Sequence, residues 1–256
     1  SYADIVAKAD AIRTVAGIRA RSRQDDVAVD SRGAITSIAN GYGYAEATGI
    51  GASIFSFFDK SEGNLTVAHS GTLSVAAATD GFASAYGIQA DNGSYRSYGD
   101  VSVDNSGMVS TTAEGYSATV DGILAVSRRG DVTVDNSGTL NAAAAAQSFA
   151  QANGIDAFNR VYSGDGDYGE VTVVNNSTVS ATATAVGISA AAGGIRAVNR
   201  NGTAMVNNSG AVSAVATAGN FASANGIYAA NRGSRSYGDV TVDNSAPTTA
   251  ITFPAN

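Results

Sequence analysis

Residues 99–110 read GDVSVDNSGMVS, and residues 130–141 read GDVTVDNSGTLN. A third copy starts at Gly238 and has Ala246 in place of the last glycine of the shared string. Each copy alternates apolar and polar residues and then enters a polar turn, which is typical of a short β-strand that ends at a tight corner. This stretch therefore predicts one strand and one corner of a repeating unit.

A Gly-Ile dipeptide marks the same repeat along the whole chain. Its isoleucines are Ile18, Ile50, Ile88, Ile123, Ile155, Ile195 and Ile227, at steps of 32, 38, 35, 32, 40 and 32 residues. A third strand follows each turn and opens with an apolar residue such as Val109 or Leu140. A single copy has too few apolar residues at helical spacing to form an amphipathic helix, and it cannot bury its own apolar face.

Stacking the copies solves this burial problem, because equal side chains then meet along a common axis. We predict an all-β fold, a right-handed parallel β-helix (solenoid) of about seven coils with variable loops on one edge. Residues 1–256 form a single domain in this interpretation. Residues 1–15 are a partial first coil, residues 16–245 are repeats of about 35 residues, and residues 246–256 are a C-terminal end or a link to a following segment.

Three columns of side chains follow from this register. The first is a polar ladder at the turn, where amides stacked at strand spacing can hydrogen-bond along the axis: Asn105, Asn136, Asn175, Asn208 and Asn244, with Ser31 and His69 at the same position. The second is an aromatic ladder that we expect to fill a corner of the core: Tyr44, Phe82, Tyr116, Phe149 and Phe221, with Ile188 in the same series. The third is acidic and precedes the first valine: Asp26, Asp100, Asp131, Glu170 and Asp239.

Composition narrows the function. The chain has no Cys or Trp, only 1 His, 14% charged residues and a net charge of −7. Nucleic-acid binding needs a concentrated basic face, so the charge argues against it. The acids recur in coil after coil, whereas an active site is a local break in a repeat, so we expect no enzyme. The sequence contains neither a signal peptide nor a long apolar run, and we expect any export signal or membrane anchor to lie outside it.

The string Gly-Ile-x-Ala, a loop, and then Gly-Asp-Val-x-Val-Asp-Asn-Ser-Gly resembles the passenger repeats of autotransporter and haemagglutinin-like adhesins of Gram-negative bacteria. The resemblance extends from about Ala16 to Ser245. It implies a parallel β-helix that is exported by a type V pathway and displayed at the extracellular or outer-membrane surface. Attachment, aggregation or biofilm formation is the implied function.

Candidate binding residues lie in the loops between the Gly-Ile strand and the Val-x-Val strand, where length varies most and binding is common. They are Tyr95, Arg96, Tyr98, Arg129, Gly130, Asp131, Tyr162, Tyr168, Arg235 and Tyr237. Arg129-Gly130-Asp131 spells the integrin-binding tripeptide. Equivalent positions read Tyr-Gly-Asp at 98–100 and at 237–239, which favours an ordinary tight turn over integrin recognition.

The alternating carboxylates of Asp165, Asp167 and Glu170 could supply oxygen ligands to Ca²⁺, although a solvated acidic loop is the favoured interpretation. We expect no other cofactor. The expected partners are sister molecules or surface and host glycans and proteins, reached by many weak contacts, without direct membrane insertion. Two rival hypotheses remain: a filament subunit that assembles end to end by strand pairing, and a tailspike-like β-helix that binds or degrades polysaccharide.

Overall fold

The computed structural model describes residues 5–10, 14–55, 61–93, 97–160, 169–232 and 238–254. Within these ranges it contains twenty strands and no helix, and all the strand pairs are parallel. The strands form a β-solenoid of about six turns. The predicted fold class is confirmed, but the predicted seven coils are slightly too many. The chain makes one full turn between each Gly-Ile copy and the next, so seven copies correspond to six full turns.

The strands lie in three stacks that run along the axis of the solenoid. The Val-x-Val stack comprises β3 (Val27–Ser31), β6 (Leu65–His69), β9 (Val101–Asn105), β11 (Val132–Asn136), β13 (Val171–Asn175), β16 (Ala204–Asn208) and β19 (Val240–Asn244). The Gly-Ile stack comprises β2 (Thr14–Ser22), β5 (Tyr44–Ile54), β8 (Phe82–Asn92), the second halves of β10 (Met108–Ser127) and β12 (Leu140–Asn159), β15 (Ser189–Asn199) and β18 (Phe221–Asn231). The third stack comprises β1 (Ile5–Asp10), β4 (Ala34–Gly41), β7 (Thr72–Thr79), the first halves of β10 and β12, β14 (Val179–Ala185), β17 (Val212–Ala218) and β20 (Thr248–Pro254).

The core is a set of apolar columns. The seven Gly-Ile isoleucines pair in one continuous column from Ile18 to Ile227. Five of them are fully buried, so each adds close to its whole side-chain area to the apolar interior. The preceding glycine lets the third strand approach: a Cβ on Gly49 would lie 2.5 Å from Leu73 Cδ1 and 2.7 Å from the Gly87 carbonyl oxygen. The dipeptide is therefore a packing motif of the stacked coils.

The turn ladder forms at the predicted register. The Nδ2 groups of Asn105, Asn136, Asn175 and Asn208 each donate a 2.7 Å hydrogen bond to Oδ1 of the asparagine in the next coil, and the series ends at Asn244. These amides are buried, where a satisfied polar column is stabilising and an unpaired one is costly. The ladder therefore fixes the register of the corner as well as its stability.

A second asparagine column, which we did not predict, lies at the end of the Gly-Ile strands. Asn92, Asn159, Asn199 and Asn231 donate through Nδ2 to glycine carbonyl oxygens, for example from Asn159 to Gly130 at 2.8 Å. Ser127 takes the same place in its coil and donates to the Gly99 carbonyl at 3.2 Å. This column holds the tight corner that leads into the Val-x-Val strand.

The two terminal coils of the described structure differ. Val27 and Val29 of β3 are only 6% and 8% exposed, whereas Val240 and Val242 of β19 are both 47% exposed. The apolar columns are thus covered at one end and open at the other. No helix long and apolar enough to cross a membrane occurs among the described residues.

Candidate functional site

The acidic column stabilises the backbone of the neighbouring coil. Asp26 Oδ1 accepts a 2.6 Å hydrogen bond from the Asn64 amide, and Asn64 Oδ1 accepts one of 2.9 Å from the Asp100 amide. The series continues from the Asp131 amide to Asp100 Oδ1 and from the Glu170 amide to Asp131 Oδ1, both at 2.8 Å. A carboxylate that accepts a backbone N–H is a stabilising contact, so these acids serve the stacking of coils.

The Arg129-Gly130-Asp131 tripeptide is part of this tight corner. Arg129 is 8% exposed, stacks over the Tyr98 ring at 4.5 Å from its centroid and donates to the Tyr98 hydroxyl. A Cβ on Gly130 would meet the Gly99 carbonyl, because the two glycines stack closely. The arginine therefore packs against the preceding coil and does not project from a loop.

Most of the other predicted loop residues, namely Tyr95, Arg96, Tyr162, Tyr168, Arg235 and Tyr237, lie outside the described residues. So do Asp165 and Asp167, and the calcium site stays a prediction. Glu170 is described and exposed, and its amide binds Asp131. Among the described residues, no group of three or more His, Cys, Asp or Glu side chains could hold a metal ion.

The aromatic ladder does not fill the core, and that prediction is wrong. Exposure is 36% for Tyr44, 60% for Phe82, 48% for Tyr116, 47% for Phe149 and 63% for Phe221. The following residue points inward instead and is an alanine at positions 45, 83, 150 and 222. The space on the inner side is therefore alanine-sized, and the rings lie on the outside.

The register of these rings is also irregular. Phe82 and Phe149 both pair with Ser117, because a shift between Gly115 and Ser117 displaces Tyr116 by one residue. Phe149 and Phe221 both pair with Ser189. Phe82, Phe149 and Phe221 therefore recur at every second coil, about 10 Å apart on strand spacing.

The outer face of the Gly-Ile stack carries residues that differ from coil to coil. Asp121 pairs with Tyr86 on one side and Asn153 on the other, and Asn153 Nδ2 donates to Asp121 Oδ1 at 2.7 Å. Asp156 pairs with Leu124 and with Arg196, whose Nη1 donates to both carboxylate oxygens at 2.7 and 2.8 Å. These two carboxylates are a local break in the repeat.

Burial dominates the electrostatics of this pair. It raises the pKa of Asp121 to about 7; the neighbouring charge of Asp156 raises it further, while Asn153 opposes the shift. Burial also raises the pKa of Asp156, and the Arg196 guanidinium opposes that change. Near neutral pH, Asp121 is the carboxyl that takes up a proton and Asp156 is the one held against a cation.

Several cavities lie on this face among the described residues, including one of about 150 Å³ beside Asn153, Gly193 and Tyr228. Two others are lined by several arginines. The first, of about 520 Å³, forms where Gly51 lies between Arg19 and Gln89 in the stacked register and small Ser53 lies between Arg21 and Asp91. The second, of about 220 Å³, is lined by Phe158, Val198 and four arginines, Arg160, Arg196, Arg200 and Arg232. The sequence analysis missed the charged residues of this face. Their sequence pattern is a charged residue next to the Gly-Ile dipeptide in three consecutive copies, namely Asp121, Asp156 and Arg196.

Comparison with known proteins finds no matching family model, no matching curated protein and no matching solved structure. The fold and the outer-face geometry are therefore the basis of any functional assignment.

Proposed function

We propose that this chain is a structural and adhesive module of the cell surface of a Gram-negative bacterium, of the autotransporter or haemagglutinin-like adhesin type. It makes weak, repeated contacts with surfaces, glycans or sister molecules and has no catalytic role. The observation that supports the proposal best is the exposed aromatic column, in which Phe82, Phe149 and Phe221 are 47% to 63% exposed.

Exposed rings in a regular column have a physical consequence. Aromatic side chains provide large contact areas and are enriched where proteins bind one another. One exposed ring adds little affinity, but several rings on a rigid scaffold raise the effective concentration for the second and later contacts. The rigid solenoid and the exposed column together favour multivalent attachment.

Attachment of the purified chain to cellulose and polystyrene surfaces, measured with a quartz crystal microbalance, tests the proposal. We expect Phe82→Ser, Phe149→Ser and Phe221→Ser together to lower the retained mass at least about fivefold, and each single change to lower it far less. The matched control is Ser117→Ala with Ser189→Ala, at the paired positions between the rings. Equal retention of the triple variant and the wild type would contradict the proposal.

An enzymatic rival would use Asp121 and Asp156, because glycoside hydrolysis needs a protonated and an ionised carboxyl on the same face. Incubation with a panel of polysaccharides and detection of new reducing ends separates the two functions. We expect no product. Product formation that disappears in Asp121→Asn or Asp156→Asn would replace the scaffold with an enzyme.

The filament hypothesis receives unequal support from the two ends. Val240 and Val242 are exposed at one end of the Val-x-Val stack, whereas Val27 and Val29 are buried at its other end. The two described ends of this stack therefore do not present equal apolar surfaces to each other. Simple end-to-end stacking of this chain is therefore the weaker proposal.

A further inference from the structure

Four arginines line the second cavity, on the outer face of the Gly-Ile stack in the last described coils. They are Arg160, Arg196, Arg200 and Arg232, and the cavity measures about 220 Å³. Among the described residues no carboxylate lines this cavity, whereas Glu46 and Asp91 accompany the arginines that line the first cavity. This makes one local region of the surface a candidate for binding anions.

The backbone places three of these arginines in one column. Arg160, Arg200 and Arg232 directly follow Asn159, Asn199 and Asn231, which occupy one position of the corner in successive coils. The Arg160 amide bonds to the Ser127 carbonyl at 2.9 Å, and the Arg232 amide bonds to the Asn199 carbonyl at 2.8 Å. Their Cα atoms therefore recur at about the strand spacing of 4.8 Å.

The fold does not require this arrangement. Like charges at such spacing repel by about 1 kcal/mol even when hydrated, and the asparagines already hold the corner. Asp156 forms an ion pair with Arg196 and also interacts electrostatically with Arg160, so one carboxylate is shared by two of the four arginines. The acidic column is interrupted beside the cavity, where Thr203 replaces the carboxylate of the other coils. The arginine column and the replacement of one carboxylate by Thr203 both add to the positive charge of this region.

We infer that the second cavity and its arginine column bind a linear acidic polysaccharide, with carboxylate or sulfate groups of successive sugar units against successive arginines. The inference rests on the proposed surface-contact function and names a ligand class for it. A guanidinium presents a planar pair of N–H donors that matches a carboxylate or a sulfate. A polymer with regularly spaced anions would engage the column at several points.

Nucleic acid fits the same region less well. Single strands bind proteins largely by stacking bases on exposed aromatic faces. Here Arg160 and Arg196 lie 4.8 and 5.8 Å from the Phe158 ring centroid, and Arg232 lies 5.3 Å from that of Tyr228. These contacts place guanidinium groups over the rings where bases would stack.

Acidic residues near the arginine column reduce its positive charge. Glu170 and Asp239 flank Thr203 in the corner column, and Asp165 and Asp167 precede Glu170 in the sequence but lie outside the described residues.

Biolayer interferometry with immobilised full chain at low salt tests the inference, using alginate for carboxylate, heparin for sulfate, dextran as the neutral polymer and single-stranded DNA as the rival polyanion. We expect binding to alginate or heparin that weakens with added salt, and none to dextran. Arg160→Gln, Arg200→Gln and Arg232→Gln together should raise the Kd at least about tenfold. The control Arg19→Gln, Arg21→Gln and Arg23→Gln removes the same charge at the other end of the face and should leave the Kd within about twofold.

Thermal unfolding of both triple variants checks that they fold, and the single change Arg200→Gln serves if the first triple does not. Equal losses in the two triples, no binding to either acidic polymer, or tighter binding of DNA would each overturn the inference. Surface attachment is scored separately with the aromatic triple variant. Attachment without alginate or heparin binding leaves the proposed function standing and overturns only the arginine site.

Discussion

The Val-x-Val stack and the outer face of the Gly-Ile stack belong to the same coils, but the residues of the first repeat along the axis and those of the second differ from coil to coil. In the first, Val132 pairs with Val101 and Val171, so each contact is repeated from coil to coil. In the second, Asp121 pairs with Tyr86 and Asn153. Repeated columns are explained by stacking, because every copy gains the same contact. Columns that change contribute little to stacking and are the place to search for function.

The largest expected effect separates the two sides of one strand. Ile123→Ala removes a fully buried side chain from the central column and should lower the free energy of unfolding by about 4 kcal/mol. Leu124→Ala, on the outer side of the same strand, should cost about 1 kcal/mol. Urea denaturation of both variants measures the difference, and equal losses would mean that the inner column does not carry the fold.

Titration of the outer-face carboxylates gives the next effect. The folded pKa of Asp121 is about 7, above its ordinary value of 3.8, so its contribution to stability is full below pH 4 and is lost as the pH rises through 7. Asp121→Asn keeps an acceptor for Asn153 and should be about 2 kcal/mol more stable than the wild type at pH 8, with little difference at pH 4.

Burial lowers the pKa of His69, so this histidine reduces stability as the pH falls below 6.5. Because both proteins in the Asp121 comparison retain His69, their difference at each pH isolates Asp121. Parallel stability curves from pH 4 to pH 8 would show that Asp121 is not buried beside Asp156.

An effect of similar size concerns the turn ladder. Asn136→Ala removes two 2.7 Å hydrogen bonds and leaves buried amide groups of Asn105 and Asn175 without those contacts. The expected loss is about 2 kcal/mol. Asn141→Ala makes the same substitution at an exposed position in the next strand and should change stability by less than about 0.5 kcal/mol. Chemical denaturation that gives equal values would mean that the ladder is not formed in solution.

The smallest effect lies at the start of that ladder. Asn105 Oδ1 is buried without a hydrogen-bond partner, and His69 occupies the paired position in the preceding coil. His69→Asn supplies a side-chain amide that can donate to Asn105 Oδ1, as the asparagines of the later coils donate to their neighbours. We expect it to raise the free energy of unfolding by about 1 kcal/mol, and a loss of that size would show that the histidine is better accommodated than an asparagine.

The sequence predicted the repeated part of the molecule well. Gly-Ile, Val-x-Val and the turn asparagine recur with few exceptions, and a column of equal residues has one register that keeps them together. The prediction for the aromatic ladder was wrong because large rings were expected in the core. The adjacent alanines, such as Ala83 and Ala150, are buried, so the inner side of the strand has room only for small side chains. Alternating residues of a strand point to opposite faces, and the volume available on the inner face decides which set of residues is buried.

The outer-face site could not be derived in the same way. Asp121, Asp156 and Arg196 come from three copies and occupy two different columns, so their proximity depends on how consecutive coils are aligned. The arginine column could have been found earlier, because Arg160, Arg200 and Arg232 each lie five residues after the isoleucine of a Gly-Ile dipeptide. Repeats reveal the scaffold, and departures from the repeat become a site only when the coils are stacked.

The direct test of this stacking is a distance measured along the axis. The chain has no cysteine, so Ala28→Cys with Thr172→Cys and Ala28→Cys with Thr241→Cys place spin labels uniquely on the outer side of the Val-x-Val stack. Ala28 is four paired steps from Thr172 and six from Thr241. Pulsed electron–electron double resonance should give distances near 19 and 29 Å, each broadened by the label. Two distances that do not increase by about 10 Å would contradict the stacked solenoid and the sites derived from it.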